Sequence, residues 1–455
     1  MRLGGVMTHI FSSQTRRRLL RGAARAAALS PFLHAWARAQ TDSVAAATVR
    51  LQDAIVTAAL AGRPCVLPKG VTRIYQIFLP EGAHLVGSPG GSTLQLAYDG
   101  PMIANRGPLD FVTLEGVTFD GAGRAVSDAF GLLTFTDVGH VVMEQCEVRN
   151  SVHGLFQHRC GGKIRLCAFH DLTDTAIHND HCRGFVIDAN RIARCGNNGV
   201  HHWASKAFKG ADGTRISNNT ITDIHNRSGG EGLWGNGVRV AETGPVTIEN
   251  NVIERCSYTA VRNTGGWSVV IADNRCRGFR EKAMYAEFGF RDATFRNNAI
   301  HDCGAGIAAT NYVGPGDGDR ALIVGNVVTG IKEDHPDKDF GPRMAWLAGI
   351  LGEGNAHIEG NVVKGSPWMG VLAGFFQSRQ NVTVEGNSLI DNQYGIGFAT
   401  QDGVGPCAIR RNDIRGSKKA AIVAMFQERV ISGDLSGAGA ARRYKDLDIS
   451  ENRIS

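Results

Sequence analysis

The feature that most constrains this chain is a six-residue phrase, apolar-x-x-Asn-x-apolar, that recurs over most of its length. It reads IDANRI, ISNNTI, IENNVI, IADNRC, FRNNAI, IVGNVV, IEGNVV, VEGNSL, IRRNDI and ISENRI, placing Asn190, Asn219, Asn251, Asn274, Asn298, Asn326, Asn361, Asn387, Asn412 and Asn452 at equivalent points. Earlier copies, LEGVTF, MEQCEV and IRLCAF, keep the apolar frame and put Val117, Cys146 and Cys167 in the asparagine position. Thirteen rungs result, most of them 21 to 29 residues apart. Such a period signals a solenoid, in which one supersecondary unit stacks on the next.

A second phrase follows each asparagine, usually by eight or nine residues: a small residue, then an aliphatic one. Examples are Ala176-Ile177, Gly199-Val200, Gly237-Val238, Ala260-Val261, Gly306-Ile307 and Gly395-Ile396. Short apolar runs broken by Gly and Asn turns are strands, and they leave no room for helices of 10–12 residues. The chain is therefore expected to be all-β, a right-handed single-stranded parallel β-helix. A leucine-rich solenoid would need a leucine-dominated consensus, which is missing. Stacking puts like positions about 4.8 Å apart. Asparagine amides can then bond to their copies above and below, satisfying turns shielded from water.

Two flanking stretches complete the organisation. Residues 48–61 carry helical apolar spacing and stop at Gly62, as a helix capping the open end of the stack would. The Gly- and Ala-rich stretch from Gln427 to Tyr444 precedes the last rung and is expected to fold over the far end. The expected boundaries are 1–39 for a removable leader, 40–110 for the cap and first strands, and 111–455 for the coils.

The leader reading rests on Arg16, Arg17 and Arg18, a modest apolar stretch and the small-x-small site Ala37-Arg38-Ala39. It is similar to a bacterial twin-arginine export signal, with Arg16-Arg17 or Arg17-Arg18 as the pair. That resemblance implies the twin-arginine translocase as a partner, and a periplasmic or secreted mature protein. Together with the rungs, the chain resembles the twin-arginine-exported β-helix repeat proteins, within the pectate-lyase-like superfamily. The family brings no assigned activity. The superfamily is rich in polysaccharide lyases, glycosidases and uronate epimerases, among which fold does not choose.

Charge narrows the partners. The formal net charge is +6, but residues 1–39 hold seven arginines and no acid, so the remainder carries 6 − 7 = −1. A near-neutral body argues against nucleic acid. No run of about 18 apolar residues stands out, so no transmembrane segment is expected in the mature chain.

Side chains alternate on a strand, so the residue after the small-aliphatic pair should point away from the interior. Coil by coil that position reads Phe156, His178, His201, Arg239, Arg262, Tyr285 and Ala308, then Leu351, Leu372, Gly397 and Val423. Two residues further on come His158, Asp180, Trp203, Ala241, Thr264, Glu287 and Thr310. In the superfamily that this chain resembles, the corresponding strand floors the substrate groove. His178, His201, Arg239, Arg262 and Tyr285 are thus the candidate catalytic set. Asp180, Trp203, Trp234, Glu287 and Trp346 are candidate substrate contacts. Insertions support this face: the gap from asparagine to small residue swells to eighteen after Asn219 and twenty-three after Asn326. They carry Trp234 and Trp346, whose flat faces suit sugar rings.

The chemistry favoured is β-elimination on an acidic polysaccharide, making the chain a lyase. It needs a cation for the uronate carboxylate, a base for the C5 proton and an acid for the leaving oxygen. Arg239 and Arg262 would hold the carboxylate, with Tyr285, His201 and His178 as acid and base candidates. A uronate epimerase could use the same groove. A glycoside hydrolase needs two carboxylates about 5–9.5 Å apart. Asp180 and Glu287 lie four coils apart, roughly 19 Å, while Glu287 and Glu353 lie two apart, near 10 Å. A non-catalytic glycan-binding or envelope protein is the third reading. No cofactor is required, although GPGDGD (Gly314 to Asp319) and KEDHPDKD (Lys332 to Asp339) gather oxygen ligands of the kind calcium accepts.

Cysteines and histidines also sort by coil. Cys146 with Cys167, and Cys160 with Cys182, fall on adjacent coils within disulfide range. Cys195, Cys256 and Cys303 share one position on alternate coils and read as core. In GVHHWAS, His201 should face outward beside His178 and Arg239, whereas His202 should face inward near Asn179 as a hydrogen-bonded interior residue.

Overall fold

Each ladder turn is built by one residue of left-handed backbone followed by the ladder residue. The preceding residue has positive φ in all thirteen rungs, from Gly116 (63°) and Gln145 (51°) to Arg411 and Glu451 (55° each). Gly, Asn and Asp tolerate that conformation best, which explains Asn218, Asn250, Asp273, Asn297, Gly325, Gly360 and Gly386 at this place. The asparagine then stitches the coils together. Asn298 Nδ2 donates to Ile271 O and to Asn326 Oδ1, both at 2.9 Å, and Asn298 N donates to Asn326 Oδ1 at 2.9 Å. The same pattern runs unbroken from Asn190 to Asn452. Below Asn190 the ladder continues in sulfur: Cys167 N donates to Asn190 Oδ1 at 2.9 Å and Cys146 N to Cys167 Sγ at 3.4 Å.

The computed structural model describes residues 31–455 except 128, 206, 208, 209, 231, 311–319, 333–347, 376–378 and 445, with side chains from residue 43. One coil runs Val246–Glu249, the Asn251 turn, Val252–Cys256, a second turn, and Val261–Thr264 before the next coil starts at Val269. Like strands pair in parallel. The strands leading into the asparagine turns form a 15-stranded sheet, and the two other strand rows join in a 28-stranded one. The chain is a parallel β-helix of about the expected number of coils.

The interior is a column of aliphatics from the small-aliphatic strand. Ile177, Val200, Val238, Val261, Met284, Ile307, Ile350, Val371, Ile396 and Ile422 are all buried. The preceding residue is small because the next coil's carbonyl lies against it: a Cβ on Gly237 would sit 2.8 Å from Ala260 O. All ten cysteines are buried thiols. Cys160 N donates to Cys182 Sγ at 3.4 Å, and Cys195, Cys256 and Cys303 alternate with Ile224 and Phe279 in one column.

The N-terminal helix runs Pro31–Leu60, and Gly62 follows with φ 61°. It continues through Ala37-Arg38-Ala39, so no break in structure marks the expected boundary at residue 39. The unit that begins at Ala47 contains all the coils. Within it, Leu51, Ile55 and Ala58 join the core, Gln52 bonds both backbone groups of Phe78, and Thr48 accepts from Tyr75 N. The segment Ser43–Leu60, with mean hydropathy 1.2, is long and apolar enough to cross a membrane by length and composition. The sequence reading missed this because Gln52 and Asp53 interrupt the apolar run. At the far end Leu435 enters the core, and Tyr444 packs edge-on against Phe398 at 5.3 Å. Arg16, Arg17, Arg18, Gly314 to Asp319, and the second acidic run apart from Lys332 lie outside the described residues.

Candidate functional site

The small-aliphatic strands bring the titratable side chains into one column by register. Phe156 pairs with His178, His178 with His201, His201 with Arg239, Arg239 with Arg262, Arg262 with Tyr285, and Tyr285 with Ala308. A second column runs beside it, from the residue before each small one: His153, Thr175, Asn198, Asn236, Thr259 and Lys282. Its members touch one another, with Asn236 Nδ2 donating to Asn198 Oδ1 at 3.1 Å and Thr259 Oγ1 to Asn236 Oδ1 at 2.6 Å.

The open groove expected from the sequence is not what the chain builds. His201, Arg239, Arg262 and Tyr285 are only 6, 8, 6 and 2% exposed. The insertion after Asn219 lies over them. Gly232 (φ 82°) has its backbone so close to the Arg262 guanidinium that a Cβ would overlap Nη1. Tyr258 Oη donates to Gly230 O at 2.7 Å and Asn236 Nδ2 to Gly232 O at 3.0 Å, pinning the loop. Glycines in left-handed conformations let the loop come this near. Trp234 is edge-on to His201 at 5.9 Å, so its ring packs on the column and does not present a free face. Trp203 is half-buried and edge-on to His181 at 4.9 Å. Trp346 lies outside the described residues.

Arg262 is fully engaged. Its Nε and Nη2 donate to the two oxygens of Glu287 at 2.7 and 2.9 Å, and Nη1 donates to Glu281 Oε2 at 2.9 Å. Burial would push Arg262 down, but Glu281 and Glu287 hold it above its ordinary value. This corrects two expectations: Arg262 is not free to take a substrate carboxylate, and Glu287 is not free to touch a sugar. Two neighbouring arginines repel, and here both acids bond Arg262. Glu281 and Lys282 were missed by the sequence reading. Their signal is the charged pair before Ala283 in REKAMYAE, where the strand register shifts between Phe279 and Lys282. Lys282 Nζ lies 4.3 Å from the Tyr285 ring centre and 3.7 Å from Glu281 Oε1. Burial, aided by Arg262 and opposed by Glu281 and Glu287, brings it down to about 8.

Arg239 differs. Its Nη1 donates to His201 Nε2 at 2.6 Å, while its Nε is buried with no hydrogen-bond partner among the described residues. No ion pair to a carboxylate is found for it among those residues. Burial first, and Arg262 second, lower it to about 10. His201 falls well below its ordinary value through burial, with His178 and Arg239 adding to the effect. Its ring lies 4.7 Å from that of His178, which burial and His153 bring down to about 4. Both imidazoles are neutral at pH 7, and each has a buried Nδ1 without a partner among the described residues.

The remaining candidates sit at the margins. Tyr285 accepts from Thr310 Oγ1 at 3.2 Å, and its ring joins an apolar cluster with Ala308, Leu351, Trp368, Met369 and Leu372. It closes the polar stretch. Asp180 accepts from His158 Nδ1 at 2.7 Å and from His181. His202 lies in register with Asn179 and is fully buried, its Nε2 2.5 Å from Asp212 Oδ2. Thr214 N and Thr243 Oγ1 also serve Asp212, whereas His202 Nδ1 is buried without a hydrogen-bond partner among the described residues.

Comparisons with known proteins agree with this architecture. The family described as right handed beta helix region matches residues 197–373. Among solved structures, the A-module of a mannuronan C-5 epimerase from Azotobacter vinelandii is similar at 16% identity, covering 90% of this chain and 93% of that one, with TM-score 0.49. The catalytic unit of a GH87 alpha-1,3-glucanase from Streptomyces thermodiastaticus is similar at 14% identity over 90% and 65%, with TM-score 0.44. A surface adhesin of Streptococcus pneumoniae is similar at 13% identity over 85% and 91%, with TM-score 0.46. No curated protein matches the sequence. The strand pairing and the matching family describe one fold, a right-handed parallel β-helix.

Proposed function

We propose that this chain is an exported carbohydrate-active β-helix protein that cleaves an acidic polysaccharide by β-elimination, with Arg239 holding the uronate carboxylate. The observation that carries the reading is the contrast at the two arginines. Arg262 has two carboxylates, whereas Arg239 has a neutral histidine and an unbonded Nε. A buried cation without an acid is costly, and a ligand carboxylate supplies the partner it lacks, through short charge-assisted bonds.

The same step prepares the base. His201 Nε2 accepts from Arg239, so its lone pair is occupied until a carboxylate draws the guanidinium away. Released, Nε2 takes the C5 proton while Arg239 stabilises the charge that spreads onto the carboxylate. The C4–O bond then breaks, its electron pair leaves with oxygen, and a C4=C5 double bond remains. His201, which now carries that proton, gives it to the leaving oxygen and returns to its neutral form. Arg262, Glu281, Glu287 and Lys282 form the fixed frame beside the site. Hydrolysis is disfavoured because one guanidinium takes up both Glu281 and Glu287.

The test is incubation with a panel of uronate polysaccharides, reading the ultraviolet absorbance of unsaturated product. Wild type should produce it and His201→Ala should not. Exchange of the C5 hydrogen with solvent, without absorbance, would make the protein an epimerase. A second reading, a non-catalytic glycan binder, is favoured by the roof over the column. It predicts retention of a glycan by both proteins with no product from either. Export by the twin-arginine route is tested by fusing residues 1–47 to a folded reporter, with Arg16, Arg17 and Arg18 changed to lysine as the arm expected to stay inside.

A further inference from the structure

At the N-terminal end of the polar column, two adjacent coils bring together groups that the elimination does not use. His158, Asp180 and His181 have ligand atoms all within 4.8 Å of one another. Asp180 lies next to His158 by strand register, and His181 follows it at the strand end. The carboxylate is shared between two imidazoles: His158 Nδ1 is 2.7 Å from Oδ2, and His181 Nδ1 meets Oδ1. The three side chains are 26, 18 and 20% exposed, so an ion can reach them. Ser205 Oγ lies 3.1 Å from His181 Nε2, which also accepts from Ser205 N at 3.3 Å; once Nδ1 binds a metal, the proton on Nε2 turns to Oγ and the amide contact opens. Such outer partners fix the orientation of ligating histidines.

We infer that His158, Asp180 and His181 form a binding site for a divalent transition metal of the zinc type. Two imidazole nitrogens with one carboxylate match the preference of that class, whereas calcium and magnesium take oxygen ligands. Three protein ligands leave one position open to water or to an anionic oxygen of a ligand. In the metal-free chain the protons on the two Nδ1 atoms occupy the ion's place. Binding therefore moves each ring's proton from Nδ1 to Nε2, the nitrogen that does not face the ion. One neighbour opposes the site. Arg159 Nη1 touches His158 Nε2, while Arg159 Nε donates to Asp137 at 2.6 Å. A guanidinium there competes for the ring and adds positive charge beside the ion. Arg159 is 49% exposed and can swing outward on its Asp137 anchor. The site is independent of the Arg239 chemistry, since it shares no residue with it.

The experiment titrates zinc chloride into the mature protein by calorimetry, and uses cobalt(II) absorption to report nitrogen ligation. Wild type should bind one zinc ion per chain with micromolar affinity. Asp180→Asn and His158→Ala should each weaken binding at least tenfold with the circular dichroism unchanged. Arg159→Ala should tighten it several-fold, an effect that a variant merely failing to fold would not give. His170→Ala, which alters a histidine held between Asp171 and Glu147, should leave binding unchanged. The inference is overturned if zinc does not bind, if binding survives Asp180→Asn and His158→Ala, or if Arg159→Ala fails to strengthen it.

Discussion

The outer face of the small-aliphatic strand is two surfaces on one backbone. From His178 to Arg262 it carries imidazoles and guanidiniums, while from Tyr285 through Ala308, Leu351, Leu372 and Val423 it is an apolar cluster covered by Trp368 and Met369. The interior column and asparagine ladder continue across the junction, where the strand register shifts once, between Phe279 and Lys282. The scaffold therefore does not dictate the outer side chains. An apolar face covered by its neighbours explains itself by burial, whereas a buried polar face with one unmatched guanidinium does not. That residue is where a ligand is needed.

The largest expected effect separates the two arginines. Arg262→Ala leaves Glu281 and Glu287 buried without their cation and should cost about 3–5 kcal/mol in urea unfolding. Arg239→Ala removes a cation that has no hydrogen-bonded carboxylate among the described residues and should cost under about 1 kcal/mol, or stabilise. Similar losses for both would mean that Arg239 has a carboxylate partner after all. On the apolar side, Leu351→Ala should cost about 2–4 kcal/mol through cavity formation alone and leave the chemistry untouched.

The ladder gives the next contrast. Asn298→Ala removes bonds to Ile271 O, Asn326 Oδ1 and the Asn274 amide groups, and should cost about 3 kcal/mol. Cys146→Ala, at the sulfur end, should cost about 1 kcal/mol. Equal costs would show that the amide network adds nothing to stacking.

The pH dependence belongs to the polar half. His178 is brought to about 4 in the folded state against roughly 6.5 unfolded. The unfolded chain therefore binds more protons between these values, and stability is lost as pH falls from 6.5 towards 4. At about 1.4 kcal/mol per pH unit this window is worth about 3.5 kcal/mol, and solvent screening of a half-buried ring should reduce the loss to about 2 kcal/mol. His178→Asn should flatten the slope, and an unchanged slope would place the titration elsewhere. The smallest effect is expected in the roof. Gly232→Ala meets both a positive φ and the Arg262 guanidinium, and should cost about 1 kcal/mol or somewhat more while raising protease cleavage within residues 226–235.

Much of the fold was legible because it repeats. A phrase copied thirteen times announces its own period, and strand alternation then names the outward column residue by residue, from His178 to Tyr285. It likewise split His201 from His202. What the repeat could not disclose came from the non-repeating parts. The roof arises from an insertion whose glycines give no periodic signal. Glu281 and Lys282 reach the column through one register shift, which breaks the alternation used to read the rest. Asp212 meets His202 from a loop ten residues away in sequence. The ion pairs of Arg262 depend on those shifted residues, so its role as frame was invisible where its position was plain.

The most direct test of the account is product formation by Arg239→Ala on a uronate polysaccharide that the wild type degrades. The account predicts a folded, cooperatively unfolding protein whose unsaturated product falls by at least a hundredfold. Undiminished product from the folded variant would contradict it, because the guanidinium left without a carboxylate among the described residues would then have no part in the chemistry.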